Sequence, residues 1–334
     1  MSAKHLSKIL KATGKGVGWW HKLFQSLINE DDLLLYDLTT IFTQSKNIKL
    51  AEKGYNPDEL YLDQIGIVLA FSKDTSLPTG IEIYWGSMKD ITTIKDFLNR
   101  LNPENIGFIL DRGFWSEPLL QKFQNQKISY IAPVRKNSKH MDPRWLRWKQ
   151  PFTYRKRSIR WSRRNTELGS LYFFEDPKLK GEQESALLRK VENGKISMEE
   201  YEEKKKTAGL IGLITNLHKK DGKQVYDLYK GRQDVELAFD AMKNTLDADK
   251  THLQSSEAVR GYFFVTFLAL RIYFHILKRL REKELTEKIS VKEVLYELSK
   301  IRKIIRPSGK ETFAKTPKKA RKIAQLFPKA EPMG

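Results

Sequence analysis

Five short apolar runs near the start of the chain constrain its fold more than any other feature of the sequence. Each run is rich in aliphatic or β-branched residues, the composition that favours buried strands. Two stretches between the later runs have the spacing of helices. The predicted elements are strands at 33–44, 65–71, 80–84, 106–110 and 128–133, and helices at about 91–98 and 116–126. Three strands, a helix, a strand, a helix and a strand predict a mixed α/β sheet with the element order of the ribonuclease-H (RNase-H) fold.

A basic block interrupts this α/β pattern after the fifth strand. Residues 135–164 hold twelve Lys or Arg and a single acid. Strand candidates at 169–174 and 210–215 follow, separated by a charged stretch at 182–206 that we predict to be helical. We therefore interpret 135–208 as a basic, β-containing subdomain inserted into the α/β core.

The rest of the chain is predicted to be mainly helical. The candidate helices are 224–246, 256–281 and 291–305, followed by a basic tail from Pro307 that is either a loose arm or a short amphipathic helix. The predicted domain division is a short basic N-terminal segment (1–30), the first part of the core (31–134), the inserted subdomain (135–208), the rest of the core with a glutamate-bearing helix (209–282) and a helical, basic C-terminal segment (283–334).

The charge balance predicts a polyanionic partner. The chain carries 61 Lys and Arg against 41 Asp and Glu, a formal net charge of +20 that is spread along its length. Such an excess is typical of proteins that bind DNA, RNA or an anionic membrane, although ribosomal association or a basic proteome gives the same balance. The most membrane-like run, 259–277, contains Arg260 and Arg271, so we interpret it as a buried helix and predict no membrane partner.

The sequence also excludes several kinds of chemistry. It has no cysteine, which rules out disulfides, cysteine-ligated zinc and thiol catalysis. It has no histidine cluster with zinc-ligand spacing, no glycine-rich phosphate loop and no G-x-S-x-G turn, so no zinc site, small-molecule cofactor or serine hydrolase is predicted. The N-terminus shows no secretion signal, which favours a cytoplasmic protein.

The strongest local signal is a set of four polar residues predicted to lie on one face of the helix at 224–246. They are Tyr229, Arg232, Glu236 and Lys243. Their steps of three, four and seven residues keep side chains on the same helical face. A carboxylate beside a phenol, a guanidinium and an ammonium suits a site that holds a metal ion and grips phosphates. A solvated face with a Glu–Arg pair is the alternative interpretation.

This spacing, Tyr-x2-Arg-x3-Glu-x6-Lys, resembles the YREK signature of the IS4-type DDE transposases at every position. The same family places one aspartate in the first strand, often before threonines, and a second after the fourth strand, often as Asp-Arg-Gly. Asp37-Leu-Thr-Thr and Asp111-Arg-Gly look like these two motifs. The segment SSEAVRGYFFVTFLAL is similar to the IS1634 branch of the group. The resemblance covers about 33–277 and includes a strand-rich insertion before the glutamate.

The resemblance implies a metal-dependent DNA transposase in which Asp37, Asp111 and Glu236 are both the catalytic residues and the metal ligands. The implied cofactor is a pair of Mg²⁺ ions, for which Mn²⁺ substitutes; two ions about 3.5–4 Å apart can clamp both oxygens of an in-line phosphoryl displacement. Water attacks a phosphodiester at the transposon end, and the freed 3′-hydroxyl then attacks the opposite strand or target DNA. The implied partners are transposon ends and target DNA, bound by a homodimer in a prokaryotic, nucleoid-associated setting.

DNA contacts are expected from two regions of the chain. The predicted DNA-binding residues are Tyr229, Arg232 and Lys243 near the cut, and Trp148, Trp161, Arg163 and Arg164 in the basic block. Lys and Arg of the block would neutralise phosphates, and an aromatic side chain there would stack on an unpaired base. In related transposases a tryptophan of the insertion receives a flipped base; Trp161 is the first candidate and Trp148 the second. Packing of a small core is the alternative role for Trp148.

Two alternatives to a transposase stay open at this point. One is another RNase-H-like nuclease, such as a junction resolvase, and the other is a non-catalytic DNA-binding protein derived from a transposase. The complete signature and the long insertion speak against the first, and the intact carboxylates speak against the second. Because Asp37 lies so early in the chain, little room is left for the N-terminal DNA-binding domain of longer relatives. A truncated copy, or a core that needs other parts, is therefore expected.

Overall fold

The computed structural model describes residues 2–54, 62–101, 105–246, 248, 250–251, 253–307, 309 and 311–327. Its strands are β1 (Leu33–Thr43), β2 (Glu52–Lys53), β3 (Asp63–Ser72), β4 (Leu77–Trp85), β5 (Gly107–Ile109), β6 (Ser129–Pro133), β7 (Lys149–Tyr154), β8 (Arg157–Thr166), β9 (Gly169–Glu175), β10 (Leu210–Thr215), β11 (Lys250–Thr251), β12 (Lys303–Ile305) and β13 (Glu311–Phe313). Its helices are α1 (Ala3–Lys15), α2 (Val17–Ser26), α3 (Asp90–Leu101), α4 (Glu117–Asn125), α5 (Pro177–Glu192), α6 (Met198–Lys205), α7 (Gly222–Lys230), α8 (Gln233–Asp240), α9 (Ser256–Glu282), α10 (Val291–Leu298) and α11 (Lys318–Ala324). Short 3-10 turns at Arg112–Phe114 and Pro143–Trp145 and a π-helical turn at Ala241–Thr245 accompany them.

One large mixed sheet organises the molecule. Strand β1 lies at its centre, antiparallel to β3 on one side and parallel to β5 on the other. Strand β4 continues the antiparallel meander beyond β3, and β6 lies parallel to β5. The resulting order, β4–β3–β1–β5–β6, is that of an RNase-H-like sheet, which confirms the predicted fold class.

The inserted strands extend this same sheet. Strand β10 pairs antiparallel with β6, and β9, β8 and β7 follow in antiparallel order beyond it. Aromatic residues of the insertion, such as Phe174, belong to the same hydrophobic core as β1 and β3. The core and the insertion are therefore joined by continuous backbone hydrogen bonding as well as by the chain.

Helix α9 covers the β4 edge of the sheet with one apolar face. Phe263, Phe267, Leu270 and Phe274 are buried, and the ring of Phe274 packs edge-on against Phe71 of β3 at 4.9 Å between centroids. The prediction of a buried helix at 259–277 is confirmed for this face. No helix in the described part of the chain is long and apolar enough to cross a membrane.

The C-terminal region departs from the predicted helix at 291–305. Helix α10 ends at Leu298, and β12 and β13 form an antiparallel hairpin after it. The continuous helix was therefore a wrong prediction. Ile304 and Ile305 are β-branched, and Arg306 precedes Pro307, which disfavours helical backbone at that position. In the basic tail the helical alternative is confirmed, since α11 buries Ala320 and Ile323.

The N-terminal segment is helical, and its first helix lies unusually close to α9. A Cβ atom on Gly14 would be 1.7 Å from the carbonyl oxygen of Glu257, and a Cβ on Gly261 would be 2.0 Å from the carbonyl oxygen of Leu10. These distances are far below van der Waals contact, so only glycine permits the approach of the two backbones. Helix α1 is thus packed into the fold through two glycines.

Gly14→Ala is expected to lower the free energy of unfolding by about 1–3 kcal/mol, because the new methyl group must push α1 away from α9. Gly18→Ala in α2 is the matched control, since a Cβ there meets no atom within 4 Å. That substitution should be neutral or stabilising by up to about 1 kcal/mol. Urea denaturation followed by circular dichroism measures both values. Equal stability of the two variants would contradict the close α1–α9 contact.

Candidate active site

Asp37, within β1, and Asp111, just after the end of β5, lie side by side because of the register of these two strands. Leu35 of β1 pairs with Ile109 of β5 in parallel register. Each aspartate is two residues further along, so both side chains arrive at the same level of the sheet and on the same face. Adjacent strands are about 4.8 Å apart, which places the two carboxyl groups within reach of one cation.

The cation between them is the guanidinium of Arg232. Its Nη1 donates to Oδ1 of Asp111 at 2.9 Å, and its Nη2 donates to Oδ2 of Asp37 at 3.2 Å. Arg232 is buried, the Asp37 side chain is 16% exposed and the Asp111 side chain is 41% exposed. Arg232 is 121 residues from Asp111 and 195 residues from Asp37 in the sequence, so these two bonds hold the α7–α8 region against the centre of the sheet.

Glu236 completes the set of predicted carboxylates at the edge of the same guanidinium. Its Oε1 lies 4.0 Å from Nη2 of Arg232, one helical turn away on α8, and its side chain is 60% exposed. We call Asp37, Asp111 and Glu236 the carboxylate cluster. As they stand, no three His, Cys, Asp or Glu side chains within the described residues are arranged to hold a metal ion. The cluster surrounds a cation nonetheless, and its hard oxygen donors are of the type that Mg²⁺ prefers.

Burial dominates the electrostatics of this site. It raises the pKa of Asp37 to about 6, against the opposing positive charge of Arg232 and with a further rise from the neighbouring Asp111. Burial also raises the pKa of Tyr229, whose ring centroid lies 5.8 Å from Cζ of Arg232. Arg232 keeps a raised pKa although burial works against it, because Asp37 and Asp111 stabilise its charge. The guanidinium is therefore the charge that permits two adjacent carboxylates inside the fold.

The helix that carries these residues is irregular, and the predicted uniform helix at 224–246 is wrong in this respect. Between α7 and α8 the amides of Arg232, Asp234 and Val235 bond to carbonyls three residues earlier, which tightens the chain at that point. After α8 the chain widens into the π-helical turn. Both departures flank Glu236. Tight and wide turns inside helices are frequent at functional sites.

Lys243 lies on the π-helical turn and reaches back to β1. Its Nζ donates to Oγ1 of Thr39 at 2.8 Å. Thr39 is two residues after Asp37, so it lies on the same face of the strand. Arg232 thus contacts the carboxylate cluster, Tyr229 lies against Arg232, and Lys243 bonds to Thr39 on the strand that carries Asp37. The roles of these three residues in binding DNA stay predictions.

Asp90 is an acidic residue near the cluster that the sequence did not single out. It begins α3, and a Cβ atom on Gly113 would lie 1.8 Å from its Oδ2, so glycine after Asp111-Arg112 is needed for this contact. Burial raises the pKa of Asp90, and the charge of Asp111 raises it further. In the sequence, Asp90 is indistinguishable from an ordinary acidic residue in the first turn of a helix.

The predicted DNA-binding residues of the insertion lie on β8 or beside it, several strands away from the cluster. The Trp161 indole donates to the carbonyl of Gln150 at 3.0 Å, stacks on Tyr172 at 6.0 Å and abuts Gly222. The ammonium of Lys149 lies 5.0 Å from its ring. Trp161 is thus surrounded by protein groups, and its role as a base-stacking residue stays a prediction.

The other three members of this set are also engaged with protein groups. The Arg160 guanidinium lies 4.7 Å from the Trp148 ring, and the Arg164 guanidinium lies 4.6 Å from the Trp145 ring. Arg163 donates to Oγ of Ser170 at 2.8 Å. Their DNA contacts likewise stay predictions.

Fold and site together define an RNase-H-like protein with acidic side chains gathered at the centre of its sheet. The family comparison is more specific. The model of the family described as the transposase DDE domain matches residues 28–272, so the chain belongs to the DDE transposase domain family.

A comparison with solved structures agrees with this fold. The chain is similar to the piggyBac transposase in a cryo-EM synaptic complex with hairpin DNA, with a TM-score of 0.50 and 11% sequence identity. The match covers 92% of this chain and 54% of that one, so this chain spans about half the length of that transposase. At this identity the similarity shows the fold alone. No curated protein matches the chain.

Arg232→Met is expected to lower the free energy of unfolding by about 2–4 kcal/mol in metal-free buffer, because two partly buried carboxylates lose their counter-charge. Arg144→Met is the matched control. Its guanidinium also binds an aspartate, Asp142, but its side chain is 88% exposed, so the change should stay within about 0.5 kcal/mol. Chemical denaturation measures both. If Arg232→Met is no less stable than the control, Arg232 does not bridge the aspartates in solution.

Proposed function

We propose that this chain is the catalytic part of a DDE-type DNA transposase. It would cleave DNA at transposon ends and join the freed 3′-hydroxyl to target DNA. The observation that carries the proposal is the convergence of Asp37, Asp111 and Glu236, far apart in sequence, on one cationic group. Membership of the DDE transposase domain family supports it independently.

The carboxylate cluster would hold the divalent metal that this chemistry needs. We propose two Mg²⁺ ions, replaceable by Mn²⁺, which when bound activate the attacking water and stabilise charge on the transferred phosphate. Asp37 and Asp111 provide a fixed pair of oxygen ligands because the sheet sets their spacing. Glu236, exposed on α8, has the freedom to turn toward them.

Arg232 must leave its position between the aspartates when metal enters. Its released guanidinium, with two parallel donors, is then suited to a phosphate oxygen of the bound DNA. Tyr229 lies against Arg232, and Lys243 lies beside Thr39 of β1. We propose that these three side chains position the phosphates next to the cut. The arrangement would couple metal entry to DNA binding through one side chain.

The finer assignments belong to the same proposal. The spacing of Tyr229, Arg232, Glu236 and Lys243 supports placement among the IS4-type transposases. The segment SSEAVRGYFFVTFLAL supports the IS1634 branch within that group. The net charge of +20 supports DNA as the partner. A homodimer on paired transposon ends is proposed from the family alone. The piggyBac transposase to which the chain is similar was solved as a synaptic complex with hairpin DNA, which supports a DNA-bound assembly.

Wild-type protein is expected to nick a supercoiled plasmid carrying the DNA that flanks its gene, when Mg²⁺ or Mn²⁺ is present. Glu236→Gln should reduce nicking more than about 100-fold, because it removes a charged group from the transition-state site, and should retain DNA binding. Asp234→Asn is the matched control on the same helix, because its carboxylate faces Arg281 instead of the cluster. Unchanged nicking by Glu236→Gln would refute its catalytic role. A wild-type protein that binds DNA but never nicks it would be a non-catalytic derivative.

Mn²⁺ is expected to raise the melting temperature of Arg232→Met more than that of the wild-type protein. In the wild-type protein the metal must first displace a guanidinium from the two aspartates, whereas in the variant it meets unpaired carboxylates. Differential scanning fluorimetry at increasing Mn²⁺ concentration measures the shift. Asp37→Asn in the Arg232→Met background should abolish it. An equal shift in wild type and Arg232→Met would show that metal and Arg232 do not compete.

A further inference from the structure

Strands β7 and β8 form a hairpin whose turn has a backbone conformation that is unfavourable for its two residues. Tyr154 pairs with Arg157, so Arg155 and Lys156 alone form the loop. Both have positive φ, 46° and 64°, which is the type I′ geometry. This turn favours Asn-Gly, because residues with a long side chain are strained in left-handed backbone. Two cations therefore occupy positions where other residues would fold more easily. Strained backbone of this kind clusters at functional sites.

The turn is held firmly against α7. The Tyr154 ring packs on Tyr226 of α7 at 5.2 Å between centroids. Arg157 donates to Oδ2 of Asp176, the residue that caps α5, at 3.0 Å. The guanidinium of Arg155 lies 5.4 Å from the Tyr154 ring. The backbone of the tip is thus anchored by neighbours on both sides.

Helix α7 places this tip at the cluster end of the insertion. Trp161 abuts Gly222 at the start of α7, whereas Tyr154 contacts Tyr226 further along the helix. Helix α7 ends at Lys230, two residues before Arg232. Strand β8 therefore runs against α7 with its first residues toward the carboxylate cluster. Along this helix the hairpin tip lies closer to the cluster than Trp161 does.

Four cations meet in this region. The ammonium of Lys230 lies 5.2 Å from the Tyr226 ring, on the same residue that Tyr154 contacts. Burial lowers the pKa of Lys230, and the charges of Arg157 and Arg155 lower it further, while Asp176 and Glu236 oppose them. Lys230 is thus close enough to Arg155, Arg157 and Glu236 to sense the charge of each. Such a concentration of positive charge attracts a polyanion.

The charges of Arg155 and Lys156 are accessible to a polyanion. Arg155 and Lys156 are exposed. Neither forms an ion pair with an acid in the part of the chain that the structure describes, whereas Arg157 is paired with Asp176. Their charges therefore project from an anchored tip on the part of α7 that leads toward Arg232. This combination fits the phosphates of a DNA backbone, which cations bind without regard to base sequence.

We propose that the Arg155–Lys156 turn, supported by Arg157 and Lys230, is a phosphate-binding tip that holds the backbone of duplex DNA beside the carboxylate cluster. The proposal rests on the proposed function and adds to it a specific contact for the DNA that flanks the cut. The left-handed turn projects two cations from a narrow, anchored hairpin. Its role is to position DNA; the phosphodiester chemistry remains with the cluster.

The test replaces the strained pair by the pair that the turn prefers. Arg155→Asn/Lys156→Gly should keep or raise the melting temperature, since left-handed backbone suits Asn and Gly. Its affinity for a short fluorescein-labelled duplex should fall on the order of ten-fold at low salt. The slope of log K against log salt should decrease by about 1.8 if two phosphate contacts are lost. Arg155→Gln/Lys156→Gln, which removes the charges and keeps long side chains, should lose the same affinity.

The matched control is Lys8→Gln/Lys11→Gln on α1. It removes the same charge from exposed positions beside α9, at the opposite edge of the sheet. This variant should keep nearly all of the affinity. An equal loss in the control would mean that only net charge matters and would overturn the phosphate-binding tip. Unchanged affinity and salt slope in both tip variants would overturn it as well.

Plasmid nicking in the same preparations separates this proposal from the proposed function. If the wild-type protein nicks DNA with metal while the tip variants bind DNA normally, the tip fails and the transposase assignment stands. If the wild-type protein neither nicks nor binds duplex DNA, the proposed function fails and the tip fails with it. Loss of affinity in the tip variants with stability retained supports the tip.

Discussion

The ion pairs of Arg232 with Asp37 and Asp111 are the interaction on which the rest of the site depends. The register of β1 and β5 places two carboxyl groups next to each other in a partly buried position, where their mutual repulsion opposes folding. A buried counter-charge removes that cost. Arg232 comes from a segment far along the chain, so the same two bonds also fix α7 and α8 across the sheet. The ion pairs of Arg232 therefore both stabilise the two carboxylates and hold α7 and α8 against the sheet.

The irregular shape of the helical segment 222–245 follows from the need to place Arg232 between the two aspartates. Arg232 must point into the sheet and Lys243 must reach Thr39, while Glu236 stays near the surface. The tight turn before α8 and the π-helical turn after it allow these separate directions in one nearly continuous segment. The residue spacing indicated that the four side chains cluster, and they do. The spacing did not reveal the two irregular turns. These turns accompany the contacts of Arg232 and Lys243 with distant strands, and such contacts cannot be derived from helical periodicity.

The elements that could be predicted are those whose residues follow a local pattern in the sequence. Buried strands such as β1 and β3 require continuous apolar runs, and these are visible in the sequence. The pairing of β6 with β10 is not visible, because it joins residues on either side of the insertion. The helix predicted to extend to residue 305 failed where Ile304 and Ile305 form a strand with a later segment. In the site, the spacing of Arg232, Glu236 and Lys243 predicted one shared helical face, whereas the bridging contact of Arg232 required the register of two strands.

The pairing of β6 with β10 has a consequence for how DNA would meet the site. An insertion joined only by two linkers could change its orientation relative to the core. Here the inserted strands continue the central sheet, and α7 packs on them before leading directly to Arg232. The position of the hairpin tip relative to Asp37 is therefore set by backbone hydrogen bonds and by one short helix. Any DNA bound at that tip would meet the carboxylate cluster at a distance that these contacts set.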